Sequence, residues 1–195
     1  MAAHRNPRDR VRVQEWARML FAGNNFYIID TETTGLGQRD EVVQIGVIDK
    51  NGEVVMDTLV KPTQRVPMGA IDVHGISNEM LMDAPTFADV YTTLSIKLAG
   101  APLIAYNMDF DWRLLQQTVN LYKLPMLRTG SRHCAMKQYA TFRGSWNAQR
   151  RSYKWHSLSS AATYEKIQVV DAHSALGDVR MTLELLKCMA REDGE

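Results

Sequence analysis

The chain has 195 residues, 45% of them apolar and 23% charged, with a formal net charge of +1, which is enough apolar material for one core in one domain of ordinary size. No apolar run approaches the roughly 20 residues that span a bilayer, and the stretch Met1–Pro7 lacks the apolar segment of a secretory signal. The only cysteines, Cys134 and Cys188, are far apart in sequence and in no metal-like spacing; together these bounds argue against membrane and disulfide-stapled secreted classes and for a reducing, cytoplasmic setting.

Val11, Val13, Trp16, Met19 and Leu20 recur at approximately helical intervals, so residues 1–24 read as a helical appendage to a main domain of residues 25–195. Strands are expected at 26–30, 41–48 and 53–60. Asp49-Lys50-Asn51-Gly52 joins the last two as an antiparallel hairpin, since Asn51-Gly52 accepts positive φ. Thr86 and Asp89 have capping-box spacing ahead of Phe87, Val90, Leu94 and Leu98, which recur as a helix. A strand at 102–106 and a helix over about 111–122 follow, and a helix-like segment opens around His173–Asp178. A meander followed by strand–helix alternation implies an α/β chain with a mixed sheet flanked by helices.

Three of these edges carry acids. Asp30 and Glu32 stand two apart at the end of the run Phe26-Tyr27-Ile28-Ile29, so an extended backbone points both to one face. Two carboxylates beside buried residues repel and lose solvation unless a cation lies between them, and a hard divalent ion suits oxygen ligands. Asn107-Met108-Asp109-Phe110-Asp111 follows the apolar run 102–106, and His173-Ser174-Ala175-Leu176-Gly177-Asp178 lies near the C-terminus. Asp109 and Asp111 both stay in view, because an extended backbone gives them the same face.

Read together, Asp30-Thr31-Glu32-Thr33-Thr34-Gly35, Asn107 to Asp111 and His173 to Asp178 resemble the motifs of the DEDDh family of 3′–5′ exonucleases, the superfamily of exonuclease X, polymerase III epsilon subunits and RNase T. The resemblance covers roughly residues 25 to 190, and His74-Gly75-Ile76-Ser77 adds a further family-like stretch. Tyr106 departs from the histidine that many relatives carry before the asparagine. Ser174 stands where the tyrosine branch of the family would need its tyrosine.

The resemblance implies a ribonuclease H-like fold with five strands and a site holding two divalent cations, Mg²⁺ with Mn²⁺ as a substitute. Asp30, Glu32, Asp111 and Asp178 are its implied metal carboxylates, Asp30 bridging, with the motif spacing favouring Asp111 over Asp109. His173 is the implied general base. On a regular helix His173 and Asp178 would lie about 140° apart, so both face one site only if His173 is at or before the helix start. Thr33, Thr34, Gly35 and Leu36 look like the segment that meets the terminal nucleotide. Asn107 is a donor to phosphate or sugar, Phe110 packs under a base or in the core, and His74 is a site or turn residue with Ile76 near it as an apolar wedge.

Charge is partitioned along the chain. From Trp112 through Tyr164 there are nine basic residues and no acid, leaving 14 basic against 22 acidic residues elsewhere. Aromatics interleave the basic stretch, a composition suited to phosphate contacts and base stacking as well as to a solvated surface over an aromatic core. Arg143, Arg150, Arg151 and Lys154 are its densest cations, with Trp146 and Trp155 as candidate stacking platforms.

The expectation is therefore an exonuclease that releases nucleoside 5′-monophosphates from single-stranded DNA or RNA 3′ ends. Cys134-Ala135-Met136-Lys137 resembles the exonuclease X branch and tilts the balance slightly toward DNA and DNA repair. An RNA-end trimming enzyme and a non-catalytic nucleic-acid-binding module are the alternatives. A polymerase or repair partner and a homodimer are left open by the sequence.

Overall fold

The computed structural model describes residues 7–168 and 174–191. A helix α1 (Pro7–Ala22) precedes strands β1 (Tyr27–Thr33), β2 (Val42–Asp49) and β3 (Val54–Leu59). Helices α2 (Met68–His74) and α3 (Phe87–Leu98) lead to β4 (Leu103–Ala105), α4 (Met108–Leu121), β5 (Arg132–Cys134) and α5 (Ala135–Arg143). A small hairpin of β6 (Trp146–Asn147) and β7 (Ser152–Tyr153) comes before α6 (Leu158–Tyr164) and α7 (Ala175–Ala190). No helix among the described residues is long and apolar enough to cross a membrane.

The main sheet has five strands in the order β3-β2-β1-β4-β5, antiparallel among the first three and parallel from β1 to β5. This is the mixed, helix-flanked sheet expected from the sequence. Its two faces follow from strand alternation. Ile28, Ile48 and Ile104 point into one cluster with Val13 and Ala17 of α1, Tyr139 of α5, Ala161 of α6 and Leu186 of α7. Their neighbours Ile29, Val47 and Leu103 point the other way, onto Leu94 and Leu98 of α3 and Leu114 and Leu115 of α4.

Local details bear out some expectations and correct others. Gly52 takes the positive φ of the β2–β3 turn (91°), and the Thr86 backbone N–H and hydroxyl both donate to the Asp89 carboxylate at the start of α3. The buried face of α1 is Val13, Gln14 and Ala17, while Val11 and Met19 of the anticipated stripe are exposed. Strand β1 continues beyond residue 30 through Thr33, because Glu32 keeps its pairing with Gln44 of β2. Strand β5 is only three residues long and was not anticipated.

Helix α7 begins directly on β2. The Ala175 N–H donates to the Gln44 side-chain oxygen (3.2 Å), and a Cβ at Gly46 would come within 2.6 Å of the Ala175 carbonyl carbon. Backbone cannot give way as a flexible side chain can. Gly46→Ala should therefore cost about 1–3 kcal/mol through overpacking and displace the start of α7. Thermal unfolding is the check; an unchanged Tm would show that α7 does not press on this glycine.

Candidate active site

Strand β1 supplies the first two acids. Asp30 and Glu32 share the half-buried face of the strand, while Thr31 and Thr33 between and beyond them are buried. Asp178 comes from the first turn of α7, whose cap is Ser174 accepting from the Gly177 N–H at 3.1 Å. Oxygen atoms of Asp30, Glu32 and Asp178 all lie within 4.8 Å of one another. Asp111, in the first turn of α4, completes the group at 2% exposure, and its Oδ1 accepts from the Thr31 N–H (3.1 Å) and hydroxyl (3.0 Å). Both helices thus direct their N-terminal partial positive charge toward the acids, offsetting part of the repulsion.

Most of the repulsion remains. Burial, and then the charges of Asp111, Asp178 and Glu32, hold Asp30 well above the usual carboxylate range. Glu32 is pushed up to about 7 by burial and by Asp178 and Asp111. Asp111 is likewise raised to about 7 by burial, against the lowering effect of its bonds from Thr31. Asp30, Glu32 and Asp111 cannot all ionise readily near neutral pH without added positive charge. Their donor set is all oxygen, without thiolate or imidazole, which fits hard cations such as Mg²⁺ or Mn²⁺.

Asp109 is separated from this group. Its side chain is 72% exposed and pairs with Lys137 at 2.5 Å. Helix α7 starts after His173 in the sequence, as the angular argument required, and His173 itself lies outside the described residues.

The acids line a cleft of about 170 Å³ whose walls include Tyr106, Asn107, Phe110 and Leu158. It shares Thr31, Glu32 and Phe110 with a larger apolar pocket of about 440 Å³, bounded by Thr33, Thr34, Gly35, Leu36, Gly69, Ala70, Val73 and His74. His74 is fixed there: its Nδ1 accepts from the Ile76 N–H (3.0 Å), so Nε2 carries the proton and faces the Thr33 carbonyl (3.3 Å). Burial holds this imidazole below its ordinary pKa. Ile76 does not reach the pocket. Gly75 takes a left-handed turn (φ 74°) that sends Ile76 into a separate buried cluster with Val43, Val66 and Leu81.

The loop after β1 is knotted around Asp40. Its carboxylate accepts from the Thr34 hydroxyl (2.8 Å) and the Gly37 N–H (2.6 Å), and a Cβ at Gly35 would meet it at 2.7 Å. A side chain at Gly35 would therefore push the Asp40 carboxylate out of these bonds. From α4, Arg113 donates to the carbonyls of Leu36 (3.1 Å) and Gly37 (3.2 Å), and Gln117 to those of Gly37 and Asp40. These grips, and the wall residue Leu158, had no sequence signal, because each joins positions distant in the chain.

Arg150 and Arg151 are not brought to the acids. They lie exposed in the turn between β6 and β7, where the Tyr153 hydroxyl bonds Asp9 of α1 (2.7 Å) and Trp146 packs edge-on against Tyr153. The start of α5 meets the cleft wall through the Met136 N–H on the Tyr106 carbonyl (2.9 Å), and the hairpin follows the helix's other end. Nine helical residues, about 13 Å, separate the two.

Comparisons with known proteins point to one family. A family model described as Exonuclease matches residues 27–186. An uncharacterized exonuclease of Escherichia phage 186 is 42% identical over 170 residues, covering 84% of this chain and 87% of the relative. The DNA polymerase III epsilon subunit of Treponema pallidum is 29% identical over 182 residues, covering 91% and 81%. Among solved structures, exonuclease X bound to 5′-overhanging duplex DNA superimposes with a TM-score of 0.59 at 27% identity, covering 84% and 90%. Exonuclease I shares the ribonuclease H-like fold with a TM-score of 0.69 at 18% identity, and this chain spans only 40% of its length.

Proposed function

This chain belongs to the DEDD exonuclease superfamily and is a nuclease, and from that membership we propose that it removes nucleotides stepwise from single-stranded 3′ ends, DNA in preference to RNA, releasing nucleoside 5′-monophosphates. The observation behind this reading is one cleft in which carboxylates from β1, α4 and α7 converge beside an apolar pocket wide enough for a nucleoside. Exonuclease X, whose structure contains duplex DNA, and the DNA polymerase III epsilon relative support DNA as the substrate. The epsilon relative also supports a polymerase or repair partner.

Asp30, Glu32, Asp111 and Asp178 would hold two divalent cations, Mg²⁺ with Mn²⁺ as a substitute, and such a pair supplies an activated water, charge relief on the phosphoryl oxygens and stabilisation of the departing 3′-oxygen. The chain's own groups position the strand and move the proton. The terminal nucleoside enters the apolar pocket, between Leu36 and Phe110, with the backbone of Thr33, Thr34 and Gly35 along its side. Asn107 donates to phosphate or sugar. His74, neutral and held on the Thr33 carbonyl, keeps the pocket floor in place. His173 accepts the proton as the water oxygen bonds to phosphorus; the bond from phosphorus to the 3′-oxygen then breaks, and that oxygen is protonated from solvent. Arg150 and Arg151, set back from the cleft, contact phosphates of longer strands.

Matched DNA and RNA oligomers labelled at the 5′ end, incubated with Mg²⁺ and resolved by length, test the proposal. A ladder shortening by single nucleotides, faster on DNA, is expected. Internal cuts without a ladder, or attack from the 5′ end, would overturn it, and a faster RNA ladder would reverse the substrate assignment.

A further inference from the structure

The four tryptophans differ in their surroundings. Trp16 packs against the His133 ring (5.7 Å), Trp112 lies under the Arg132 guanidinium (4.2 Å), and Trp146 meets Tyr153 edge-on (5.2 Å). Trp155 is 65% exposed, and among the described residues no ring or cation covers it. An indole left in water forgoes the burial that makes tryptophan worth placing in a fold.

Its position is fixed from the acid cleft. Tyr106, a wall of the cleft, donates its hydroxyl to the carbonyl of His156 at 2.7 Å. Two residues further on, Leu158 is itself a cleft wall, and Ser157 caps α6 through the Ser160 N–H. Both tethers follow Trp155 in the chain, and on its other side the Lys154 N–H donates to the Ser145 carbonyl at 2.7 Å. Three residues of chain span at most about 10–11 Å, which sets the furthest Trp155 can stand from Leu158. A stacked strand rises about 3.4 Å per nucleotide, so that distance is at most about three nucleotides.

The direction is set by the lining of the two cavities. Leu36 and His74 bound the apolar pocket alone, whereas Tyr106 and Leu158 bound the acid cleft alone. With the terminal nucleoside in the apolar pocket and its phosphate at the acids, the retained strand leaves past Tyr106 and Leu158. Trp155 is three residues from Leu158 on that side. Lys154 beside it is exposed, and the stretch from Trp112 to Tyr164 contains no acid to repel a phosphate.

We propose that Trp155, held by the Tyr106–His156 hydrogen bond, is a stacking platform for a base of the retained strand, the second or third nucleotide from the 3′ end, with Lys154 on the adjoining phosphate. This subsite rests on the exonuclease reading for the strand's direction. Its occupant is a nucleobase of either sugar type, because stacking is indifferent to the 2′-hydroxyl.

The experiment uses the full chain and an oligothymidylate octamer, reading indole fluorescence and hydrolysis separately. The octamer should quench wild-type fluorescence, and Trp155→Phe should lose most of the quench while keeping most of the affinity. Trp155→Ala should weaken half-saturation about 5- to 150-fold, the equivalent of about 1–3 kcal/mol per stacked base, with a larger loss for trinucleotides and longer strands than for a dinucleotide. Trp16→Phe, in α1 and outside both cavities, serves as the control, with wild-type affinity and quench. A quench that survives Trp155→Phe, or unchanged half-saturation in Trp155→Ala, overturns the subsite. Because quenching needs no turnover, an inactive wild type that still shows the Trp155-dependent quench would sink the exonuclease reading and leave the platform standing.

Discussion

Asp111→Asn should lower hydrolysis by at least about 10³-fold, the scale of several kcal/mol of transition-state stabilisation that bound cations supply. Asparagine is the more informative replacement, because its oxygen still accepts both bonds from Thr31, whereas alanine would leave buried donors unpaired at about 1–3 kcal/mol. Asp109→Ala, which removes only an exposed pair with Lys137, should change the rate by no more than a few fold. The reverse pattern would mean that Asp109 is the working acid.

The same cluster gives a pH signature. Carboxylates raised from about 4 in the unfolded chain toward 7 in the folded one bind protons more tightly when folded. Their contribution to stability is complete below about pH 4 and is lost as pH rises toward 7, at about 1.4 kcal/mol per unit for each proton taken up. In chelator the protein should therefore lose stability across this window, and the rise in Tm on adding Mg²⁺ should be larger at about pH 8 than at about pH 5. Asp111→Asn should raise the chelator Tm near pH 8. Melting curves with and without Mg²⁺ decide it; an equal metal effect at both pH values would dissociate cation binding from these acids.

His173→Ala should reduce kcat by about 10²–10⁴, the usual contribution of a general base, with little change in KM. Such a base acts on the attacking water and makes no contact on which ground-state binding depends. Single-turnover cleavage at saturating oligonucleotide isolates the chemical step. A wild-type rate there, with weakened binding, would make His173 a substrate contact rather than the base.

Alternation in β1 made the shared face of Asp30 and Glu32 legible, whereas Asp111 in place of Asp109, and Asp178, rested on the resemblance of their motifs. What closes the site was not legible, since Thr31 bonds Asp111 across 80 residues and Tyr106 reaches His156 across 50. Proximity created by topology leaves no local periodicity to read. Ile76 shows the same limit at short range. The family-like stretch around His74 suggested Ile76 as a wedge in the site, but the left-handed Gly75 between them turns one toward β1 and the other into a separate buried cluster. Strand β5 escaped notice because three residues cannot display a period of two.

Helix α4 has a mechanical consequence. One rigid rod carries Asp111 in its first turn, Phe110 in the shared wall, and Arg113 and Gln117 in its grip on the Leu36 loop. Lower down, the Thr118 hydroxyl receives the Val42 N–H (3.2 Å) and ties the rod to β2. The acid and the wall to which we assign the terminal nucleoside are therefore geared together: a tilt of α4 moves both at once. The segment from Lys154 to Leu158 hangs on a different tether, so drift in sequence there would retune the proposed strand exit while the gear stays in mesh.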